Sequence, residues 1–210
     1  MAYNRILLPV DGSEHSMHAV AHAVSLVREG GEIVVATVLP PIPNVIGGDA
    51  RKEAEEAVKT DASLITQPVM DVIAKDNIAC REKIVLHTST AEGIIETAED
   101  MKCDLIVMGS RGLTALKGLI MGSVTTGVLA RTKCPVLLLR GKEAPLTDAL
   151  RVGIAVDGSK YGMAAVNHVL KGIDFFGKGA QFYLINVVND YAGAVMPDMA
   201  GMALPALSES

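Results

Sequence analysis

The chain has 210 residues, with 19 Lys and Arg against 24 Asp and Glu and a formal net charge of −5. Half of the residues are hydrophobic and 20% are charged, enough apolar surface for a core, which excludes wholesale disorder. The acidic balance argues against capture of nucleic acid or of an anionic membrane, since both need a basic face; aromatics at 3% and no Trp argue against stacking platforms for single strands.

Cys80, Cys103 and Cys134 are odd in number and form no CxxC, so neither a zinc knuckle, a thioredoxin-type motif nor a disulfide framework is expected. The apolar run before Asp11 is too short for a signal-peptide core. No run approaches the roughly 20 apolar residues of a spanning helix. These features predict a cytoplasmic protein.

Ile6 to Val10 is a continuous apolar run that stops at Asp11-Gly12-Ser13, as expected of a strand covered on both faces. Met17, Val20, Ala21, Val24 and Val27 then recur at helical spacing, with Gly30-Gly31 as the stop. Ile33 to Leu39 is the second strand, and Pro41 to Gly48 reads as loop. Ala50 to Lys75 is amphipathic and predicts a helix that Pro68 kinks or interrupts. Cys80 to Leu86 is the third strand, and His87 to Thr90 a loop. Ser89-x-x-Glu92 fits a capping box that opens a helix over Ile94, Ile95 and Ala98. Leu105 to Met108 is the fourth strand; Gly109 to Gly122 a glycine-rich loop; Val124 to Arg131 a helix; Val136 to Leu139 the fifth strand. Strands alternating with helices predict a parallel, doubly wound α/β domain over residues 1–141.

The remainder echoes the start. Arg151 to Ser159 repeats the pattern of Arg5 to Ser13, Ala165-Val166 that of Ala19-Val20, and His168 that of His22. Phe182 to Val188 matches the second strand, after which the echo fades. This predicts a β-α-β half repeat over 150–190 and a flexible tail over 191–210, where Met196, Met199 and Met202 lie among Ala, Gly and Pro. Two strands and one helix cannot bury their own faces, so the half repeat is expected to dock on the first domain or on another chain, or to be a remnant.

Gly109-Ser110-Arg111-Gly112, nine residues, then Gly122-Ser123 follows a predicted strand and leads into a helix. Glycines admit a ligand close to the backbone, and amides at a helix start form an anion-binding concavity; this chemistry suits a polyphosphate. The same glycines would also serve turns in a plain surface loop. It is neither a Walker A loop nor G-x-G-x-x-G. Asp11-Gly12-Ser13 ends the first strand, and in a sheet of order 3-2-1-4-5 strands one and four straddle the switch point where ligands bind. Ordinary capping by Ser13 explains that turn equally well. Arg111 and Lys117 suit phosphate pairing or a solvated loop face, and Asp11 suits Mg²⁺ or a structural role. His15, His18 and His22 lie opposite the apolar stripe and are expected to face solvent or a partner rather than a metal.

Residues 3–140 resemble the universal stress protein family. The matching pieces are Ile6 to Ser13, Asp104 to Gly112 and Cys134 to Leu139, and the full G-x2-G-x9-G-[ST] pattern resembles the family's ATP-binding branch. The resemblance implies a Rossmann-like sheet of order 3-2-1-4-5 with ATP, together with Mg²⁺, at the switch point. It implies that Pro9, Asp11 and Val38 line the adenine and ribose side, and Gly109, Gly112, Gly122, Ser123 and Thr125 the ribose and phosphates. Met108, Arg111 and Val124 complete the implied set. It also implies a homodimer paired through the fifth strand, residues 136–140. Tandem members carry two full domains, whereas the second unit here lacks strands three to five and a second glycine loop. The implied function is that of an ATP-binding stress-response or regulatory protein, with nucleotide as a conformational ligand; the alternatives are a slow ATPase or nucleotidyl-transfer enzyme on the same fold, and an interaction module that binds no nucleotide.

Overall fold

Ile6, Leu7 and Leu8 are fully shielded from solvent, which places their strand at the centre of a sheet covered on both faces. The structure, a computed structural model, describes residues 3–110, 121–140 and 150–187. Its elements run β1 (Tyr3–Pro9), α1 (Glu14–Leu26), β2 (Val27–Leu39), α2 (Gly48–Ala74), β3 (Ala79–Leu86), α3 (Thr90–Asp100), β4 (Leu105–Gly109), α4 (Ser123–Arg131) and β5 (Val136–Leu139). All pairings in this first unit are parallel and the order is β3-β2-β1-β4-β5, the doubly wound arrangement that the alternating elements predict.

Successive strand residues point to opposite faces and build two cores. Ile6, Leu8, Ile33, Val35, Leu105 and Val107 pack with Ala19, Val20, Ala23 and Leu26 of α1 and Val69 and Ile73 of α2. Leu7, Val34, Ala36, Ile106 and Met108 pack on the other face with Ala91, Ile94 and Ala98 of α3 and Val128 of α4.

Several local expectations are corrected. Gly30 and Gly31 do not stop α1, which ends at Leu26. They lie in β2, where the register against β1 jumps from Tyr3↔Val27 to Arg5↔Glu32. Gly30 takes φ 72° in this bulge, and a Cβ on Gly31 would lie 2.8 Å from the Asn4 carbonyl oxygen and 2.9 Å from that of Arg28. Pro68 does not interrupt α2. Its missing amide would have met the carbonyl of Leu64; both residues are on the exposed side, where water replaces the bond, while Ala62, Thr66, Val69 and Ile73 hold the buried side. The inward face of α1 is Ser16, Ala19, Val20, His22, Ala23 and Leu26; Met17 and Val24 are half-buried, Ala21 is exposed, and Val27 starts β2. His22 is thus buried rather than solvent-facing, with Nδ1 3.3 Å from the His18 carbonyl oxygen. Among the described residues no group of three or more His, Cys, Asp or Glu could hold a metal.

The capping box at α3 is only half formed. Ser89 Oγ accepts from the Glu92 amide, but the Ser89 amide donates to His87 Nδ1 and the Glu92 carboxylate pairs with Arg131 of α4.

The C-terminal segment forms β6 (Arg151–Ala155), α5 (Lys160–Lys171), a short 3-10 helix (Ile173–Phe176) and β7 (Gln181–Ile185), with β6 and β7 parallel in a two-stranded sheet. The turn after β6 has the geometry of the turn after β1. Gly158 takes φ 78° where Gly12 takes 79°. Asp157 accepts from the Ser159 amide at 2.9 Å where Asp11 accepts from Ser13 at 3.0 Å. Ser159 and Ser13 both cap the helix that follows. The Met196, Met199 and Met202 spacing and the predicted tail lie outside the described residues.

Candidate functional site

The carboxyl ends of β1 and β4 adjoin because these strands pair directly, Ile6 with Leu105 and Leu7 with Ile106. At the end of β1, Pro9 is half-buried and the Val10 amide donates to the Ala36 carbonyl at 2.8 Å, which carries the β1–β2 pairing to the lip of the sheet. The chain then turns through Asp11, whose Oδ1 accepts the Ser13 amide, and Gly12, whose positive φ few other residues adopt. Ser13 caps α1 by accepting the Ser16 amide at 3.2 Å.

At the end of β4, Met108 is buried between α3 and α4 and pairs with Leu138. Gly109 lies against the first turn of α1, where a Cβ would stand 3.0 Å from the His15 carbonyl oxygen and 3.1 Å from His15 Cβ. Two peptide hydrogen bonds then fix the start of the glycine loop and bring its far end back. The Ser110 amide donates to the Leu139 carbonyl at 2.8 Å, and the Ser110 carbonyl accepts from the Gly122 amide at 2.9 Å.

Gly122 is the N-cap of α4, and no side chain caps that terminus. α1, α3 and α5 each start at a serine whose hydroxyl accepts a first-turn amide, whereas α2, like α4, starts at a glycine without a side-chain cap. The first amides of a helix have no intrahelical partner and carry the positive end of its dipole, so α4 offers them at the same strand end as Asp11. Ser123 is exposed at the first helical position, Val124 packs against the α3–α4 core, and Thr125 is buried. The Thr125 hydroxyl lies 3.3 Å from the Gly109 carbonyl oxygen and 3.4 Å from that of Ser110, which ties α4 to the end of β4.

Val38 is half-buried near the end of β2 and pairs with Val85. It meets α3 at Gly93, where a Cβ would lie 3.0 Å from Val38 Cγ1 and 3.2 Å from His87 Cβ. Of the residues singled out from the sequence, Pro9, Asp11, Val38, Met108, Gly109, Gly122, Ser123, Val124 and Thr125 are therefore all carried on the ends of β1, β2 and β4 or the start of α4. Arg111, Gly112 and Lys117 lie outside the described residues. Ser110, which clasps the loop, carries no role in the sequence pattern, and His15, expected to face solvent or a partner, instead lies against Gly109. The available signal for His15 was its place two residues into the helix that opens beside the switch point.

The universal stress protein family model matches residues 2–140. The chain belongs to this family. A universal stress protein of Thermus aquaticus is 34% identical over 139 residues, spanning 66% of this chain and 99% of the relative. MJ0531 of Methanocaldococcus jannaschii is 31% identical over 144 residues, 66% of this chain and 82% of its own. Among solved structures, that of MJ0577 is 26% identical with a TM-score of 0.58 and covers 69% of this chain and 100% of its own. A universal stress protein solved in complex with cAMP, 23% identical with a TM-score of 0.51, shares the fold. A universal stress protein from Archaeoglobus fulgidus DSM 4304, 25% identical with a TM-score of 0.58, covers 89% of this chain and 68% of its own, so that likeness extends past the first unit. Among the described residues no helix is long and apolar enough to cross a membrane.

Proposed function

We propose that this universal stress protein binds ATP at the carboxyl ends of β1 and β4 and uses it as a conformational ligand in a regulatory or stress-response role in the cytoplasm. The observation that carries the reading is the start of α4: a glycine N-cap without a side-chain cap, held by the Gly122–Ser110 hydrogen bond at the carboxyl end of β4, the strand that pairs with β1. Amides in that state suit an anionic ligand, and glycine leaves the approach clear. The G-x2-G-x9-G-[ST] pattern, which resembles that of the family's ATP-binding branch, points to a nucleotide among the anions.

In this reading Pro9, Asp11, Val38 and Met108 form the adenine and ribose side, and Gly109, Arg111, Gly112, Gly122, Ser123, Val124 and Thr125 the phosphate side. The Asp11 carboxylate, oriented by the Ser13 amide, is the group that would hold Mg²⁺, whose part is to neutralise phosphate charge. The acid flanking β4, Asp104, accepts the amides of Asn4 and Arg5 at the opposite end of the strands, so acidity at the site comes from the β1–α1 turn. This supports a ligand role over rapid turnover. The β5 strand stands at the sheet edge with the apolar sequence Val136 to Leu139, and pairing it with a second copy across a two-fold axis would cover that edge. The 150–187 segment, in the same reading, is a partial second repeat of the domain.

The test is on protein purified without added nucleotide. Denaturation and mass spectrometry identify any released small molecule, and calorimetry with Mg·ATP measures binding to the stripped chain. Binding in the native chain that is lost in Gly122→Val supports the reading. Absence of any adenine nucleotide and of any binding heat overturns it, and hydrolysis at several turnovers per second replaces the ligand role with an enzymatic one.

A further inference from the structure

The three cysteines are free thiols distributed over the two faces of the sheet. Cys80 packs on the α1–α2 face, whereas Cys103 and Cys134 pack together on the α3–α4 face. These two precede adjacent parallel strands, β4 and β5, and the Cys134 thiol donates to the Cys103 carbonyl oxygen at 3.4 Å. Both backbones are pinned. The Cys103 amide donates to the Ala98 carbonyl at 2.8 Å, and the Cys134 amide donates to Thr132 Oγ1 at 3.1 Å. Residues 31 apart in sequence are thus brought together at the amino ends of two strands, the first of which leads at its other end into the glycine loop.

We propose that Cys103 and Cys134 are a redox modification site, a pair that a low-molecular-weight disulfide such as oxidised glutathione converts into an intramolecular bridge. The thiolate of one residue attacks a sulfur of the small disulfide, forming a mixed disulfide and releasing one small thiol. The second protein thiolate attacks the protein-side sulfur and releases the other. Two protein thiols lose two electrons, the small disulfide gains them, and the two protons end on the released thiols. The bridge closes β4, the glycine loop, α4 and the approach to β5 into one covalent ring. Cys80, across the sheet, is excluded by geometry. Burial holds the Cys103 thiol up at about 12 and that of Cys134 at about 11, so the thiolate is scarce at neutral pH and the exchange is slow there. Its rate rises about tenfold per pH unit below those values.

The experiment treats the full chain with oxidised glutathione at several pH values, blocks remaining thiols by alkylation and maps peptides without reduction. The expected product is a Cys103–Cys134 linked peptide with Cys80 alkylated, formed faster as pH rises from 7 to 9. Cys80→Ser leaves the product unchanged. The same treatment in concentrated urea scrambles the pairing among all three cysteines, which shows that the fold selects the pair. Glutathione adducts that never proceed to the bridge, a bridge involving Cys80, or no reaction with the native chain at any of these pH values would each overturn the proposal.

Discussion

The Gly122 amide donates to the Ser110 carbonyl oxygen at 2.9 Å, so the two ends of the glycine loop are hydrogen-bonded to each other. Ser110 is itself bonded through its amide to Leu139 of β5, and the Thr125 hydroxyl reaches back to the Gly109 and Ser110 carbonyls at the end of β4. The entrance and exit of the loop are therefore built from β4, β5 and α4 as one piece.

Gly109→Ala tests how tightly that piece is set against α1. The new Cβ would stand 3.0 Å from the His15 carbonyl oxygen and 3.1 Å from its Cβ, and the backbone there cannot swing aside as a long side chain can. Overpacking of this kind costs about 1–3 kcal/mol. The expected outcome is that loss in chemical denaturation together with weaker Mg·ATP binding in calorimetry. A variant of unchanged stability and affinity would show that α1 and β4 slide freely past one another.

Gly31→Ala is the control remote from the site. Its Cβ would stand 2.7 Å from Val27 Cγ2 and 2.8 Å from the Asn4 carbonyl oxygen, so about 1–3 kcal/mol of stability should be lost in the bulge. The bulge is at the amino end of β1, the far end from Asp11. Nucleotide affinity of the folded fraction is expected to match that of the native chain, read by calorimetry well below the unfolding temperature.

The same bulge shows where the sequence was hard to read. The fold was legible because Ile6 to Leu8, Ile33 to Ala36 and Leu105 to Met108 are unbroken apolar runs, and strands buried on both faces leave that mark. Gly30-Gly31 resembles a helix stop, since glycine ends helices by the same positive φ that it uses in a bulge; only the pairing with β1 tells the two apart. His22 looked polar and outward, yet α1 is inward on Ala19 and Ala23, small residues that let a neighbouring imidazole be covered. Glu92 fitted a capping box until Arg131, 39 residues away, supplied a charged partner. In the candidate site the Asp11-Gly12-Ser13 turn was readable because its geometry is local. The roles of Ser110, His15 and Gly93 were not, because each depends on another element: β5 and α4, β4, and β2.

The edge at β5 gives a prediction about assembly. Ile106 and Ser110 donate to the carbonyls of Pro135 and Leu139, so by alternation Leu137 also faces β4 while Val136 and Leu138 turn their amides outward. Leu138→Pro removes an outward donor without touching the β4 pairing. The native chain is expected to sediment as a dimer and this variant as a monomer, with circular dichroism confirming that the sheet is kept. A native monomer at all accessible concentrations would remove β5 pairing from the functional reading.

Alkaline pH should weaken the fold through its thiols. Burial raises Cys80 to about 11, Cys103 to about 12 and Cys134 to about 11, from an ordinary value of 9.0. Desolvation also raises Tyr3, with the charges of Asp104 and Cys134 adding to it. Well below pH 9 each thiol is protonated both folded and unfolded, so none makes stability depend on pH there. Above it the unfolded chain ionises first and binds fewer protons than the native chain, so stability falls with rising pH until the native values are reached. Half-exposed thiols are partly screened, which softens the effect without changing its sign. In the presence of reductant, Tm is expected to decline between pH 9 and 11, and the Cys103→Ser, Cys134→Ser double variant to decline less steeply over that range, whatever its Tm at neutral pH. Equal slopes for the two chains would show that the paired thiols ionise as freely in the folded state as in the unfolded one.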